Sequence, residues 1–388
     1  MTTPEAAAPR RLRLGMVGGG EGAFIGAVHR IAARLDDQWD LVAGALSSDP
    51  LRSRRSGATL RLDPDRTYDS FAAMARAEAA RPDRPDHTGR IDAVAIVTPN
   101  HIHAPAAIAF LAAGIPVISD KPLCRNLEEA RAIAAHAANL PFFVTYNYTG
   151  YPMIRHAREM VAAGELGAIR TIQVEYAQDW LSTNLEASGQ KQADWRTDPA
   201  RSGAGGAIGD IGTHAFNLAE FVSGLECTEL AADLHSFVPG RRVDDNAHML
   251  LRFTHGASGM LWASQVAPGN ENALSLRIHG EKAALSWRQE HPNHLTLSRL
   301  GQPPQTLTRG GPATGPAAAH ATRIPGGHPE GYLEAFAQLY RDIATQLRTP
   351  HAEPNLVPGL RAGLRGVAFI TAALASAQNN AGWTPIQT

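Results

Sequence analysis

The chain has 388 residues, 44% of them hydrophobic and 19% charged, and a formal net charge of −1. This length exceeds one typical core and predicts two domains. The balanced charge, without a block of like charges, gives no reason to expect nucleic acid or an anionic membrane as a partner. No apolar run reaches the ~18 residues that span a bilayer. The two cysteines fit neither a metal spacing nor a disulfide framework, so we expect a cytoplasmic protein.

Strands and helices alternate through the first part of the chain. Residues 1–10 lack the apolar core of a signal peptide and are predicted to be a disordered start. Strands are predicted at 11–17, 39–46, 91–97, 115–120 and 141–148, with helices at 25–35, 103–114 and 126–139. Such alternation predicts an α/β fold, in which a doubly wound parallel sheet carries helices on both faces. Residues 11–148 are therefore predicted to form a Rossmann domain.

A different pattern follows in residues 149–388. After one helix at 152–163, strand-like stretches are separated by turn signals, with little helix between them. This pattern predicts an α+β domain with a large, open, mostly antiparallel sheet. The proline- and glycine-rich stretch 302–327 is predicted to be a long loop, and two helices, at 330–347 and 357–378, end the chain.

A glycine-rich turn joins the first predicted strand to the first helix. The sequence GGGEGAFIG places Gly18, Gly20 and Gly22 before the helix, with Gly26 later than the usual third glycine. Glycine lets backbone amides approach a pyrophosphate, and the helix N-terminus supplies free N–H groups. The residues predicted to bind the dinucleotide here are Gly18, Gly20, Gly22, Phe24 and Ile25. A turn that binds nothing is the alternative.

The end of the second strand bears on the choice of cofactor. An acid here normally holds the ribose 2′-hydroxyl. The sequence ALSSDPLRSRR offers Ser47, Ser48 and Asp49, followed by three arginines, Arg52, Arg54 and Arg55. The arginines either face a 2′-phosphate or form a solvated helix face. We favour NAD over NADP.

Two further segments follow strands of the parallel sheet, and ligands bind beyond the carboxyl ends of such strands. SDKPL ends the fourth strand and places Lys121 at the crevice. TPNHIH follows the third strand, so Thr98, Pro99, Asn100 and His103 are predicted to line the cofactor site together with Lys121.

An acid and a histidine stand four residues apart in GGAIGDIGTHAFN. Asp210 and His214 would share one face of a helix. Histidine has an unperturbed pKa near neutrality and suits a general acid or base. The alternatives are a helix cap for Asp210 and a packed imidazole for His214. A metal site is not expected, because no three ligands share a recognisable spacing.

These motifs together resemble the Gfo/Idh/MocA oxidoreductases, which include glucose–fructose oxidoreductase and inositol dehydrogenases. The resemblance rests on the glycine turn, TPNHIH, DKP, WRTDPARSGAGG and GDIGTHAFN, and covers nearly the whole chain. It implies hydride transfer between a nicotinamide and a secondary alcohol of a sugar, glycoside or cyclitol. By motif match, Lys121, Asp210 and His214 form the catalytic group. It also implies a homodimer or homotetramer through the C-terminal sheet.

The polar, tryptophan-rich stretch 178–196 is expected to form one wall of the substrate pocket. The substrate-binding candidates, besides the three catalytic residues, are Tyr148, Trp180, Trp195 and Arg196, with Lys191 as a further polar group. Core packing is the alternative for the two tryptophans. Two other functions are kept open: a non-catalytic dinucleotide-binding sensor, and an NAD-dependent glycosidase that acts through transient oxidation.

Overall fold

The first sheet is fully parallel. The computed structural model describes residues 9–84, 86, 88–353 and 355–388. Five strands pair in the order β2-β1-β3-β4-β5. They are β1 Leu12–Gly18, β2 Trp39–Ala45, β3 Ala93–Val97, β4 Val117–Ser119 and β5 Phe142–Val144. All five residues of β3 are buried, because helices cover both faces of the sheet. The predicted doubly wound sheet is confirmed.

Five helices accompany these strands. They are α1 Phe24–Leu35, α2 Pro50–Thr59, α3 Phe71–Ala79, α4 His103–Ala112 and α5 Leu127–Ala137. Neither α2 nor α3 was predicted as a helix from the sequence. The segment of α2 is rich in arginine and has few apolar residues, so it lacks the helical period; Asp49 starts it by accepting hydrogen bonds from two backbone amides. Most of the predicted disordered start lies outside the described residues. Arg10, however, donates to both oxygens of Asp92, each at 2.8 Å.

The second sheet has nine strands in the order β13-β12-β11-β10-β6-β9-β8-β7-β14. Only β6 and β9 pair in parallel; the other neighbours are antiparallel. The bounds are β6 Ile169–Ala177, β7 Cys227–His235, β8 Asn246–Phe253, β9 Ser258–Ser264, β10 Ala273–Gly280, β11 Ala283–Arg288, β12 His294–Arg299, β13 Gln305–Thr308 and β14 Thr384–Pro385. Buried and exposed side chains alternate along β8, as expected for a sheet with one packed face. The predicted mostly antiparallel sheet is confirmed.

The remaining helices lie in the second part of the chain, and one of them, α11, packs on α1 of the first domain. They are α6 Pro152–Ala162, α7 Lys191–Arg196, α8 Pro199–Ser202, α9 Thr213–Ser223, α10 Pro316–Ala321, α11 Tyr332–Arg348 and α12 Leu360–Gln378. A π-helical turn, Ile208–Gly212, leads directly into α9.

The prediction of one long loop at residues 302–327 is wrong. The segment contains the edge strand β13 and the helix α10. The segment is held at two points along its length. Arg309 is buried and donates to Glu330 at 3.0 Å. Glu159 on α6 accepts from the amide of Ala317 at 2.7 Å. The strand is only four residues long and the helix is mostly alanine, so neither shows a hydrophobic period.

The last third of the chain returns to the first sheet. Tyr340 on α11 accepts from the indole of Trp39 through its backbone carbonyl at 2.9 Å, and its hydroxyl lies 2.8 Å from Nδ1 of buried His29. Phe143 of β5 forms a bridge with Gly359. The parallel sheet is therefore completed by residues more than 180 positions downstream of its last strand, and the boundary at 148/149 stays a prediction.

One described helix, α12, is long and apolar enough to cross a membrane by length and composition alone. Half of that apolar window is buried inside the protein. Phe369 of α12 stacks on Phe216 of α9 with ring centroids 4.4 Å apart, and Ser376 accepts from the amide of Ala232. These contacts explain its apolar composition as core packing.

Gly26 sets the distance between α1 and the turn that precedes it. A Cβ placed on Gly26 would lie 2.3 Å from the Cα of Gly19. We expect Gly26→Ala to lower the free energy of unfolding by about 1–3 kcal/mol, because backbone has to move. The midpoint of urea unfolding measures this. Gly212→Ala is the control: its φ is −60° and the nearest heavy atom would be 3.5 Å from the new Cβ. Equal midpoints for both variants would contradict the close-packing role.

Candidate active site

The glycine turn leaves the N-terminus of α1 open to an anion. Gly18 has φ +80°, and a Cβ there would lie 2.9 Å from the carbonyl oxygen of Val97. Ala23 precedes the helix without a side-chain cap, and no acid occupies the first turn. A cleft of about 520 Å³ borders the turn from Gly20 to Phe24. Free N–H groups and space beside them fit the pyrophosphate of a dinucleotide.

Side chains at the end of β2 are exposed or half-buried. Asp49 accepts from the amides of Leu51 and Arg52, which lowers its pKa. Ser47 accepts from the amide of Asp49 at 3.1 Å, and Ser48 is exposed. Two of the three arginines have carboxylate partners: Arg54 binds Asp69 at 2.9 Å, and Arg55 lies 3.7 Å from Glu21.

The TPNHIH segment forms a 3₁₀ turn at Asn100–Ile102 and then enters α4. The hydroxyl of Thr98 is buried and has no partner among the described residues, which suits a position facing a ligand. Asn100, by contrast, donates to the carbonyl of Ser202 at 2.7 Å. His103 is buried, and its two ring nitrogens lie 2.9 Å from the carbonyl oxygens of Pro122 and Thr98. The ring of His103 therefore links the segments that carry Thr98 and Pro122, and its place at the cofactor stays a prediction.

A four-membered polar cluster forms around Asp210. Lys121 donates to the backbone carbonyl of Asp210 at 2.5 Å and to its Oδ1 at 2.8 Å. Arg196 and Gln265 donate to Oδ2 at 3.2 Å and 2.9 Å. Burial alone would raise the pKa of Asp210, but the two cations outweigh it and hold the pKa well below its usual range. Asp210 is therefore a carboxylate.

The predicted helix that carries Asp210 and His214 begins with a π turn. Asp210 lies in this turn, which runs directly into α9, and His214 lies in the first turn of α9. Both carboxylate oxygens are engaged by Lys121, Arg196 and Gln265, and neither is hydrogen-bonded to His214 in the described part of the chain. Asp210 therefore binds the two cations and Gln265 and makes no hydrogen bond to the imidazole.

His214 lies in an aromatic pocket. The ring of Tyr148 meets it edge-on with centroids 4.8 Å apart, and the rings of Tyr146 and Tyr176 lie at 5.8 Å and 6.2 Å. Nδ1 is buried and has no partner among the described residues. Burial lowers the pKa of His214 well below 6.5, the nearby Lys121 lowers it further, and Asp210 opposes them. His214 is therefore a neutral imidazole near neutral pH.

Asp244 holds the π turn at its beginning. Its buried carboxylate accepts from the amides of Gly206 and Ile208 at 2.6 Å and 2.9 Å, and its backbone carbonyl accepts from Ala207. Burial raises the pKa of Asp244 to about 6, although these hydrogen bonds oppose the rise. The sequence reading missed Asp244 and Gln265, as well as Tyr146 and Tyr176. Nothing in the local pattern marks them, because they reach the site from separate strands and loops.

The substrate-side candidates fall into two linked groups. The first group is a chain of hydrogen bonds. Trp180 donates to Gln178, and Gln178 donates to Asn272. Asn272 also accepts from the hydroxyl of Tyr176, which is hydrogen-bonded to the hydroxyl of Tyr148. The Arg196 guanidinium lies 4.3 Å from the ring centroid of Trp195. Neither tryptophan is fully buried, so both differ from ordinary core residues. Tyr148, predicted as the end of a strand, lies instead in the 3₁₀ turn Asn147–Gly150.

The fold and the site together define a class of protein. A Rossmann sheet offers a diphosphate site, and beyond its strands lie a partly buried ion pair and a neutral histidine. Those are the parts of a dinucleotide-dependent oxidoreductase. Two family models match: residues 12–148 match the oxidoreductase family with an NAD-binding Rossmann fold, and residues 154–286 match the GFO/IDH/MocA C-terminal domain. The chain belongs to the Gfo/Idh/MocA family of oxidoreductases, which confirms the resemblance.

Known proteins of similar sequence or structure agree. An oxidoreductase from Sinorhizobium meliloti is 51% identical, with a TM-score of 0.87 over 96% of this chain and 99% of its own. An inositol dehydrogenase homolog from Azotobacter vinelandii, solved with NADH and myo-inositol, is 36% identical, with a TM-score of 0.88 over 97% and 98%. Levoglucosan dehydrogenase from Pseudarthrobacter phenanthrenivorans is 29% identical over 74% of this chain and 76% of its own.

Removing the Lys121 charge tests the electrostatics of the site. We expect Lys121→Met to raise the pKa of His214, because burial still disfavours the imidazolium but the adjacent cation is gone. The ring C–H resonances of His214, assigned with a His214→Asn variant, report this in an NMR titration. In the wild-type protein the ring should stay neutral through pH 6.5; in the variant, protonation should begin at higher pH. Lys282→Met, at an exposed turn, serves as control. An unchanged His214 titration in Lys121→Met would contradict the coupling.

Proposed function

We propose that this oxidoreductase is an NAD-dependent dehydrogenase that oxidises a secondary alcohol of a cyclitol or sugar, with His214 as the general acid/base. The observation that carries the proposal is the neutral, buried imidazole beside the Lys121–Asp210 pair. A neutral ring at physiological pH can accept a proton, and a carbinol needs its O–H proton removed as the C–H bond breaks. NAD, when bound, supplies the acceptor for the hydride.

His214 takes the proton through Nε2. Nδ1 is sealed in the aromatic pocket without a partner, whereas Nε2 is the nitrogen left to meet a substrate. The rings of Tyr148 and Tyr176 pack around the imidazole. Burial raises the pKa of both tyrosine hydroxyls, so the two tyrosines remain neutral. The pocket thus orients the base without adding a charge to it.

Lys121 stabilises negative charge on the substrate oxygen. Its ammonium is held by both the carboxylate and the carbonyl of Asp210 and has a third N–H to offer. A preorganised cation at a developing alkoxide lowers the barrier without reorganisation. Asp210 fixes Lys121 and Arg196, and by keeping its own negative charge it limits the positive potential at His214. In this assignment Asp210 hydrogen-bonds Lys121 and Arg196 and acts on His214 only through its charge.

The proposed substrate class rests on the chemistry of the wall and on the relatives. Arg196, Gln265 and the tyrosine hydroxyls provide several hydrogen-bonding groups around one histidine, and Trp195 and Trp180 provide partly exposed aromatic faces. A ring that carries several hydroxyls matches such a wall. A neighbour 36% identical over nearly the whole chain holds NADH and myo-inositol, and a relative is a levoglucosan dehydrogenase. We therefore place cyclitols first and sugars second.

We propose NAD over NADP because the end of β2 offers a carboxylate and, of its three arginines, only Arg52 forms no ion pair with a described residue. Asp49 is exposed at the end of β2, where an acid normally holds the adenosine ribose. Arg54 and Arg55 already have carboxylate partners. A 2′-phosphate would meet the Asp49 charge, whereas a 2′-hydroxyl can donate to it.

Net formation of NADH separates the candidate functions. The purified protein is incubated with NAD and a panel of cyclitols and sugars, and absorbance of the reduced nicotinamide is followed. A steady rise supports the dehydrogenase. Tight NADH binding without any turnover across the panel favours the sensor, and glycoside cleavage without net NADH favours transient oxidation.

Replacing His214 tests the base. We expect His214→Asn to lower kcat about 10²- to 10⁴-fold, because a positioned base contributes that much. The Kd for NADH, measured by nicotinamide fluorescence, should stay within about twofold, since the ring has no role in holding the diphosphate. His136→Asn, on the exposed face of α5, is the control. A His214→Asn enzyme with near-normal kcat would remove His214 from the chemistry.

Replacing Asp49 tests the cofactor preference. Asp49→Ser keeps an N-cap oxygen for α2 and removes the charge. We expect the ratio of the NADPH to the NADH dissociation constant to fall about tenfold, equivalent to ~1.4 kcal/mol. Fluorescence titration with both reduced cofactors measures it. If wild-type protein already binds NADPH more tightly than NADH, the proposed preference is wrong.

A further inference from the structure

Lysine is rare in this chain, and one of the lysines was predicted only as a polar group of the substrate wall. Of the 36 Lys and Arg residues only three are lysines, Lys121, Lys191 and Lys282. Lys121 belongs to the active site, and Lys282 lies in an exposed turn between β10 and β11. Lys191 is the first residue of α7, in the segment predicted to wall the substrate pocket.

Lys191 reaches across the crevice to the glycine turn. Its Nζ lies 3.4 Å from the carbonyl oxygen of Gly22, and a Cβ placed on Gly22 would meet Nζ at 3.5 Å. Its side chain is exposed and makes no ion pair with any residue that the structure describes. An ammonium has three N–H donors, and one long contact to a carbonyl leaves this one largely unused. Lys191 was predicted to line the substrate pocket, but in the structure its ammonium lies beside the glycine turn.

We propose that Lys191 is a diphosphate-binding residue, which closes over the cofactor from the C-terminal half of the chain. The proposal rests on the dinucleotide-binding function of the glycine turn. That turn supplies N–H groups, and the two arginines beside it already have partners: Arg30, on α1, donates to the carbonyl of Gly19 at 2.6 Å, and Arg55 lies 3.7 Å from Glu21. Lys191 reaches the turn from outside without an ion pair among the described residues, and a compact ammonium suits a diphosphate oxygen.

The position of Lys191 also links the diphosphate to the substrate wall. The six-residue helix α7 begins at Lys191 and ends at Arg196, which binds the Asp210 carboxylate. Gln190 caps this helix through the amide of Ala193 at 2.6 Å. A diphosphate held by Lys191 would therefore hold the whole of α7, and with it Arg196 and Trp195, against the site. Lys191 then acts as a cofactor ligand and as a positioning residue for the substrate wall.

ADP-ribose isolates the diphosphate contact, since it carries both phosphates and no nicotinamide. We expect Lys191→Met to raise the Kd for ADP-ribose and for NADH about tenfold, measured by calorimetry, through loss of a charge-assisted contact. Lys191→Arg should recover part of the affinity, because the charge remains. Lys282→Met is the matched control and should bind as the wild type does. The loss in Lys191→Met should shrink at high salt.

Chemical labelling of lysines provides a second readout that needs no variant. With three lysines in the chain, an amine-reactive reagent and peptide mass spectrometry can follow each one. We expect ADP-ribose to protect Lys191 and to leave Lys282 unaffected. Protection of Lys191 together with the affinity loss supports the proposal. Unchanged affinity in Lys191→Met, or equal labelling of Lys191 with and without ADP-ribose, overturns it.

These outcomes are separate from those of the dehydrogenase proposal. A protein that protects Lys191 with ADP-ribose but oxidises no polyol would support the diphosphate contact and reject the proposed reaction. A Lys191→Met enzyme with normal NADH affinity and normal turnover would reject the contact and leave the dehydrogenase intact.

Discussion

The ion pair between Lys121 and Asp210 is the contact on which the site depends. Lys121 follows β4 of the parallel sheet, and Asp210 opens the helix that packs under the large sheet, 89 residues later. Removing two charges from water is costly unless both are well compensated. Here the carboxylate of Asp210 accepts hydrogen bonds from Lys121, Arg196 and Gln265. This compensation requires the end of β4, the end of α7 and the end of β9 to meet at one point, because Lys121, Arg196 and Gln265 lie at or just beyond those ends. The charge pair and the arrangement of both sheets therefore depend on each other.

A π-helical turn carries Asp210 to that meeting point. The turn Ile208–Gly212 is held at its start by Asp244 and runs directly into α9, which carries His214. The carboxylate faces cations, and the imidazole lies in a pocket of tyrosine rings. π turns of this kind are frequent at functional sites. A charged cluster and a neutral histidine thus lie side by side at the start of one helical segment.

The return of the chain to the first sheet joins its last third to the core of the first domain. Helix α11 packs on α1 and on Trp39, and Gly359 bridges to β5. The segment 178–196 runs from the large sheet toward the glycine turn, where Lys191 meets Gly22. Both the core behind the glycine turn and the surface in front of it therefore include residues from the second part of the chain.

The amino-acid sequence alone was enough to determine the parallel sheet, the mostly antiparallel sheet and the glycine turn. It also predicted Lys121, Asp210 and Arg196, three of the four residues of the polar cluster, as site residues. Those features depend on short stretches of sequence, because buried strands are continuous apolar runs and the turn and the D-x-x-x-H pair are short motifs. The sequence did not determine the elements inside 302–327, the π turn, the buried role of His103, or the place of Lys191. Each of those depends on which distant group a side chain meets. Asp210 binds Lys121 and not His214, His103 lies between Thr98 and Pro122, and Lys191 meets Gly22. Local periodicity carries no information about such partners, because contacts between residues far apart in the chain are decided only when the whole core packs.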